Sequence, residues 1–165
     1  MLTEFTDSDR IRAVVGVSDH ELPDDVLTSP DFETLIALDL DDVASGLLDE
    51  FRTVSAILYP SRTFSQQRFF DVTQLFCTYS VAKQLLTPLG YLAERRLQDG
   101  RAMKERVEDP FSTTRDGVNA MYSSLRIKLS AAFVAATGGT ATPLTRVLPT
   151  LSVGVGLATD PVTNA

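Results

Sequence analysis

Few residues of this chain have the chemistry of a catalytic site. His20 is the only histidine and Cys77 the only cysteine among 165 residues. His20 lies in an acidic stretch and Cys77 in a strongly apolar one, so we expect neither to join a nucleophile–base pair. A thiol in such surroundings packs as a small hydrophobic side chain. This inventory excludes histidine-rich and two-cysteine zinc sites and predicts no catalytic residue.

The acidic residues are numerous, but their spacing does not suit metal binding or acid/base catalysis. Adjacent pairs occur at Asp24-Asp25 and Asp41-Asp42. On a helix, adjacent side chains point about 100° apart, so neither pair converges on one point. Asp39 and Asp42 can share a helix face, but no histidine accompanies them. We therefore expect no metal, no cofactor and no enzymatic activity.

The net charge of −7 hides a split along the chain. Residues 1–50 hold 14 acidic and 2 basic side chains, whereas residues 51–165 hold 8 acidic and 13 basic ones. Three interpretations remain open: a solvated acidic face, an acidic surface that repels nucleic acid, or complementary faces that meet between subunits. The overall acidity argues against sequence-specific DNA binding. The candidate residues for charged contacts between subunits are Asp39, Asp42, Asp49, Glu50, Arg95, Arg96, Arg101 and Arg106.

The last 28 residues, 138–165, differ in composition from the rest of the chain. They contain six Thr, three Pro, four Gly, no aromatic residue and only two charged residues. Four apolar residues within them alternate with small ones, which is the period of a half-buried strand. These four residues are Leu151, Val153, Val155 and Leu157.

No second convincing strand accompanies this β-like segment. A single strand leaves its backbone groups unpaired, so we expect its partner to lie on another polypeptide. Pro143 and Pro149 pre-extend the segment and reduce the entropy lost on docking. A disordered terminus is the alternative. The predicted partner-docking residues are Leu148, Leu151, Val153, Val155, Leu157, Asp160 and Pro161.

The first half of the body shows clear helix start and stop signals. Thr6 or Asp7 can cap a short helix that ends at Gly16, and Pro23 begins a second short helix. Ser29-Pro30-Asp31 predicts the start of a long helix that ends at Tyr59-Pro60. Eight apolar residues at helical spacing form its buried stripe. They are Phe32, Ile36, Leu40, Val43, Leu47, Phe51, Val54 and Leu58.

The second half of the body predicts two more long helices. Thr63 and Gln66 form a capping-box pattern at the start of the first of these helices. This helix is apolar nearly all round, so we expect it in the middle of the fold. We expect Pro88 and Gly90 to end it. A short helix over residues 99–109 follows. The last helix runs from Asp109-Pro110 to the glycine pair 138–139.

These elements predict an all-α fold. Residues 1–137 form an antiparallel helical bundle of three long and about three short helices, and residues 138–165 form an extended C-terminal docking arm with a lone β-like segment. No apolar run approaches the length of a membrane span, and the N-terminus lacks a signal-peptide pattern, so we expect no membrane partner. One cysteine allows no intrachain disulfide, which suits a reducing cytoplasm.

Several stretches resemble the head–tail connector proteins of tailed bacteriophages, also called adaptor or head-completion proteins. The matching stretches are RFFDVTQL at 68–75, LQDGRA at 97–102, and DPF at 109–111 before a long helix. The stretch GLATDPV at 156–162 resembles the ends of phage structural proteins. The resemblance covers the chain from residue 69 to residue 136 and encodes no chemical mechanism.

This resemblance implies a helical virion subunit, assembled in the host cytoplasm, that forms a ring, usually of twelve copies, beneath the portal. It implies that genome DNA passes through the ring without sequence-specific binding and that the subunit has no catalytic site. It also implies that the arm reaches the portal, a neighbouring subunit, or other neck or tail proteins. The acidic half either faces the channel, where like charge lets DNA slide, or packs against the basic region 95–128 of the next subunit. The alternative function is a cellular helical binding module or assembly chaperone that docks one partner through its arm.

Overall fold

The computed structural model describes residues 2–98 and 111–139. Within these ranges no strand occurs, so this part of the chain is helical, as predicted. The predicted short helix at 99–109 and the β-like segment at 151–157 lie outside the described residues. The elements are a 3-10 turn (Leu2–Glu4) and the helices α1 (Ser8–Val15), α2 (Asp24–Leu27), α3 (Pro30–Val43), α4 (Leu47–Ala56), α5 (Phe64–Gln98) and α6 (Ser112–Ala136).

Helices α1 and α3 begin at the predicted capping residues. The side chain of Asp7 accepts a hydrogen bond from the backbone N–H of Asp9 at 3.0 Å. Ser29 Oγ accepts one from the N–H of Asp31 at 3.4 Å. Each bond satisfies a donor that the first turn of a helix leaves free. Helix α1 ends at Gly16, whose φ of 79° lies in the left-handed region that favours glycine.

The predicted capping box at the start of α5 is confirmed. The N–H of Thr63 donates to Gln66 Oε1 at 2.9 Å, and the N–H of Gln66 donates to Thr63 Oγ1 at 3.3 Å. The two residues thereby satisfy each other's backbone donors.

One predicted helix, from residue 30 to residue 58, is wrong, because the structure divides it into α3 and α4. Ala44 is extended, with φ −161° and ψ 137°, and Gly46 is left-handed, with φ 80°. Apolar residues keep the helical spacing across this break, so the periodicity alone conceals it. Leu58 was expected in the buried stripe but is 81 % exposed, since α4 ends at Ala56.

The predicted stop of the middle helix at Pro88 and Gly90 is also wrong, because α5 continues to Gln98. A proline inside a helix removes one backbone hydrogen bond and adds a clash, so it can kink a helix without ending it. A single glycine costs about 1 kcal/mol relative to alanine and does not end a helix by itself. The resulting helix has 35 residues.

Helix α5 lies in the middle of the described fold, as predicted, and contacts α1, α3, α4 and α6. Its Phe69 ring lies 5.8 Å from the ring of Phe133, and its Phe76 ring lies 5.0 Å from the ring of Tyr122 on α6. The earlier residue of α5 thus contacts the later residue of α6, and the later residue of α5 contacts the earlier one. The two helices are therefore antiparallel. None of the described helices has both the length and the apolar character needed to span a bilayer.

Candidate functional site

A cluster of polar side chains joins α3 to α5 and α6. Asp39 Oδ2 accepts a hydrogen bond from Ser80 Oγ at 2.5 Å, and the Tyr122 side chain lies close enough to Asp39 to interact with its charge. One turn further along α3, Asp42 Oδ2 accepts from Arg126 Nη2 at 2.7 Å. The same Arg126 nitrogen donates to the backbone oxygen of Asp42 at 3.0 Å. Two aspartates on one face of α3 thus fasten it to both long helices.

The cluster changes the ionisation of two groups inside the fold. Burial, followed by the negative charge of Asp39, raises the pKa of Tyr122 to about 12, with Arg126 acting in the opposite direction. Burial, with a further contribution from Asp39, also raises the pKa of the Cys77 thiol. Cys77 is fully buried and therefore stays protonated, so it lacks the thiolate that a nucleophile or metal ligand requires. Lys83 Nζ lies 4.2 Å from the centroid of the Tyr122 ring, in a cation–π contact.

Ser80 and Lys83 have the Ser-x-x-Lys spacing found in some serine acyl-transfer sites. In such sites the serine oxygen faces a substrate carbonyl about 3 Å away. Here Ser80 is 1 % exposed and donates its hydroxyl hydrogen to Asp39. Both features leave this oxygen without access to a substrate. The contacts of Ser80 instead connect α3 to α5.

A second set of contacts fastens the N-terminal segment. Arg12 is 8 % exposed, and its guanidinium donates to the carbonyl oxygen of Leu22 at 2.9 Å, to Asp9 at 3.0 Å, and to Asp24. The hydrogen bond and charge of Arg12 lower the pKa of Asp24. These bonds hold α1, α2 and the intervening loop together. His20 lies in that loop and is exposed.

A third arginine closes the corner between α4 and α5. Arg62 Nε donates to the carbonyl oxygens of Ile57 at 2.8 Å and Val54 at 3.1 Å, and Nη2 donates to that of Ser55 at 3.1 Å. Its guanidinium carbon also lies 4.0 Å from the centroid of the Phe70 ring. These carbonyls belong to the last turn of α4, where a helix leaves acceptors unpaired. Arg62 therefore supplies hydrogen-bond donors to carbonyl oxygens at the C-terminal end of α4.

The outer surface of the first fifty residues is strongly acidic. Nine of its fourteen carboxylates are exposed, and the other five are half-buried. The segment that carries them is held on the body by the contact of Arg126 with Asp42 and by Arg52 Nε, which lies 3.2 Å from Glu4 Oε1. The exposed acidic residues are Asp7, Asp9, Asp19, Glu21, Asp24, Asp25, Asp31, Asp41 and Asp49.

A shallow groove lies between the start of α5 and the end of α6. Its volume is about 110 Å³. Phe64 is 84 % exposed at its edge, although large aromatic rings are usually well buried. The groove is lined by Phe64, Ser65, Arg68, Ala131, Ala132 and Ala135.

The structure places the predicted interface residues in different environments. Asp39 and Asp42 are half-buried and have partners within the protomer, whereas Asp49 is exposed on α4 and Glu50 beside it is half-buried. Arg95 and Arg96 lie on the last turns of α5. Arg101, Arg106 and all seven predicted docking residues lie outside the described part of the chain. The interface predictions for these residues stay predictions.

Sequence reasoning missed Ser80, Tyr122 and Arg126 as partners of α3. One signal was available: Ser80 is a polar residue within the most apolar helix, and such a group needs a hydrogen-bond partner when it is buried. The partner itself was not predictable, because Asp39 and Ser80 are 41 residues apart and Asp42 and Arg126 are 84 residues apart.

Within the described ranges, no group of three or more histidine, cysteine, aspartate or glutamate side chains is arranged to hold a metal ion. No family model, curated protein or solved structure matches this chain. The function is therefore inferred from the residues and their geometry. The surface that carries this inference is formed by the exposed carboxylates of residues 1–50.

Proposed function

We propose that this chain is a structural head–tail connector (adaptor) subunit of a tailed phage virion. It forms a ring beneath the portal that joins the capsid to the tail and lets the genome pass. Residues 1–137 form the antiparallel helical bundle of this subunit, and residues 138–165 form its docking arm. Its role is mechanical and requires no catalysis. The resemblance of residues 68–75, 97–102 and 109–111 to connector proteins supports this proposal.

The observation that carries the proposal is the fixed acidic surface of the first fifty residues. Nine carboxylates are exposed there, and the contacts of Arg52 and Arg126 hold the segment on the helical body. DNA binds proteins largely through the release of counterions from its phosphates, and an acidic wall provides no such gain. A surface of this kind suits a channel through which DNA slides.

The placement of Asp39 and Asp42 favours the channel over a contact between subunits. Both carboxylates have partners inside the protomer, so they add little charge to a surface that would meet the next copy. Arg126, within the basic region 95–128, is already paired with Asp42. Charges that are neutralised within one subunit contribute less to the electrostatic attraction between subunits.

In this proposal, the arm completes the assembly by strand addition to the portal or to a neighbouring neck protein. The alternating residues of 151–157 fill pockets while the backbone pairs with an exposed sheet edge. This segment lies outside the described residues, so its role rests on the sequence pattern.

Assembly of the full chain with a portal protein from the same genome tests the proposal. We expect the mass, measured by analytical ultracentrifugation, to rise to that of a portal–ring complex, and electron micrographs to show a ring with a central opening. The ring should not retain duplex DNA at low salt. If the chain stays monomeric or dimeric at high concentration with portal present, the connector assignment is wrong. A single-copy complex with a different partner would then support the binding-module or chaperone alternative.

A further inference from the structure

We propose that the groove between α5 and α6 is the docking site for the first part of the same chain's arm, residues 143–148. This inference concerns the free protomer and does not depend on the phage assignment. The groove is apolar and presents the exposed Phe64 ring beside three alanines of α6. Alanine side chains leave room for a polypeptide to approach the helix closely.

The described chain ends beside this groove. Helix α6 ends at Ala136, and Gly138 and Gly139 follow with φ values of 67° and 82°. The N–H of Gly139 donates to the carbonyl oxygen of Val134 at 2.8 Å, which is the chain reversal of a Schellman motif. Residue 139 therefore lies within one helical turn of Ala135, a lining residue of the groove.

The distance from this exit to the groove is short. The four residue-to-residue steps from 139 to 143 span up to about 13 Å when extended. The groove residues Ala131 and Ala135 are only about 6 Å apart along the axis of α6. Residues 143–148 can thus cover the groove without strain in the connection.

The composition of residues 143–148 suits a groove with helical walls. Such walls offer no free backbone groups, so a strand would remain unpaired there, whereas a polyproline II segment keeps its backbone in water. Pro143 and Pro149 favour that conformation, in which every third residue shares an edge. Leu144 and Val147 then face the groove together, and Arg146 lies on a different edge. An aromatic ring such as Phe64 is a common contact for extended proline-bearing segments.

Proximity favours the chain's own arm over that of a second copy. A segment joined to its site by a short stretch of chain has an effective concentration in the millimolar range, far above micromolar protein concentrations. Docking of 143–148 leaves the β-like segment 151–157 free for a partner and holds it near one end of the body. This reduces the entropy lost when the partner binds.

Trypsin cleavage after Arg146 in the full chain tests the inference. Release of residues 147–165, followed by mass spectrometry, reports how often this part of the arm leaves the groove. We expect Ala135→Glu and Phe64→Ala to release the fragment several-fold faster than the unchanged chain. Both positions are exposed, so neither variant removes a core contact.

The matched controls are Ala120→Glu, at an exposed alanine on the same helix, and Ile127→Ala, at a residue that is 74 % exposed. Both should leave the rate unchanged. Equal rates in all five proteins would overturn the inference, since the groove would then not protect the arm. Protection that grows with protein concentration would also overturn it, because the occupant would be a second copy. Either result leaves the ring-assembly test of the connector proposal unaffected.

Discussion

At the residue scale, the contacts of α3 converge on Asp39. Its half-buried carboxylate accepts a hydrogen bond from Ser80 on α5 and interacts with the Tyr122 side chain on α6. Ser80 is almost fully buried, so its hydroxyl depends on this partner. Leaving a buried donor without a partner costs about 1 to 3 kcal/mol, which exceeds the net contribution of an ordinary hydrogen bond. Asp39 is therefore a residue on which the position of the acidic segment depends.

Tyr122 provides a pH-dependent test of this cluster. Its pKa in the folded protein is about 12, above the ordinary value of 10.0, so folding favours the protonated hydroxyl. The corresponding stability is complete below pH 10 and is lost as the pH rises through about 12. The loss amounts to about 2 to 3 kcal/mol. Urea unfolding across this range should show a smaller loss in Tyr122→Phe than in the unchanged chain, because the buried Cys77 thiol contributes a loss in the same direction in both proteins.

The ultraviolet absorbance of tyrosinate gives an independent check. The chain has four tyrosines, and we expect the Tyr122→Phe variant to lose a titration step near pH 12. Loss of a step near pH 10 instead would mean that Tyr122 is neither buried nor close to the charge of Asp39 as described.

At the element scale, the break between α3 and α4 directs two apolar surfaces into one core. Leu40 and Val43 precede the break, Leu47 and Phe51 follow it, and all four are buried. The left-handed conformation of Gly46 allows the chain to change direction between them. A residue with a Cβ pays about 1 to 2 kcal/mol to adopt this conformation. Glycine at this position thus has a backbone role.

Two glycine substitutions separate that backbone role from ordinary helix propensity. Gly46→Ala should lower the free energy of unfolding by about 1 kcal/mol through strain alone, because no atom lies within 4 Å of the added Cβ. Gly117→Ala, inside α6 and equally uncrowded, should raise it by about 0.5 to 1 kcal/mol. Urea denaturation of both variants measures the difference. Equal effects of the same sign would show that Gly46 is not held in the left-handed region.

At the scale of the whole molecule, we propose different roles for the helical body, residues 1–137, and the docking arm, residues 138–165. The described body has a continuous apolar core that extends from the N-terminal turn to the last helix, as shown by the buried residues Leu2, Phe51, Leu86 and Phe133. No buried side-chain nitrogen or oxygen of the described residues lacks a hydrogen-bond partner. The body therefore has its own core and satisfied polar groups, which leaves the arm for assembly.

Substitutions in the arm should change docking without changing stability. Val153→Asp together with Val155→Asp should weaken portal binding by more than about 3 kcal/mol, because each would bury an unpaired charge. Ser152→Asp, on the alternate face of the β-like segment, is the matched control and should have a much smaller effect. Pull-down and titration of the full chain measure binding, and urea unfolding measures stability. Docking that survives the double substitution would exclude strand addition by this segment.

The features that the sequence determined by itself are local. The capping side chains at Asp7, Ser29 and Thr63 act on backbone groups two or three residues away, so their effect is visible in a short stretch of sequence. The helical spacing of apolar residues likewise predicted the buried faces of the helices, including the middle position of α5. It did not reveal the break at Gly46, because the spacing of the flanking apolar residues continues through it.

Only the tertiary structure decided which distant side chains meet. The sequence presents Asp39 and Asp42 as candidates for charged contacts between subunits, and the fold places them beside Ser80, Tyr122 and Arg126 of the same chain, which lie 41 to 84 residues away. The groove arises in the same way, from the start of one helix and the end of the next. Such contacts depend on how whole helices pack against each other, and packing is decided by the combined fit of many side chains rather than by any local pattern.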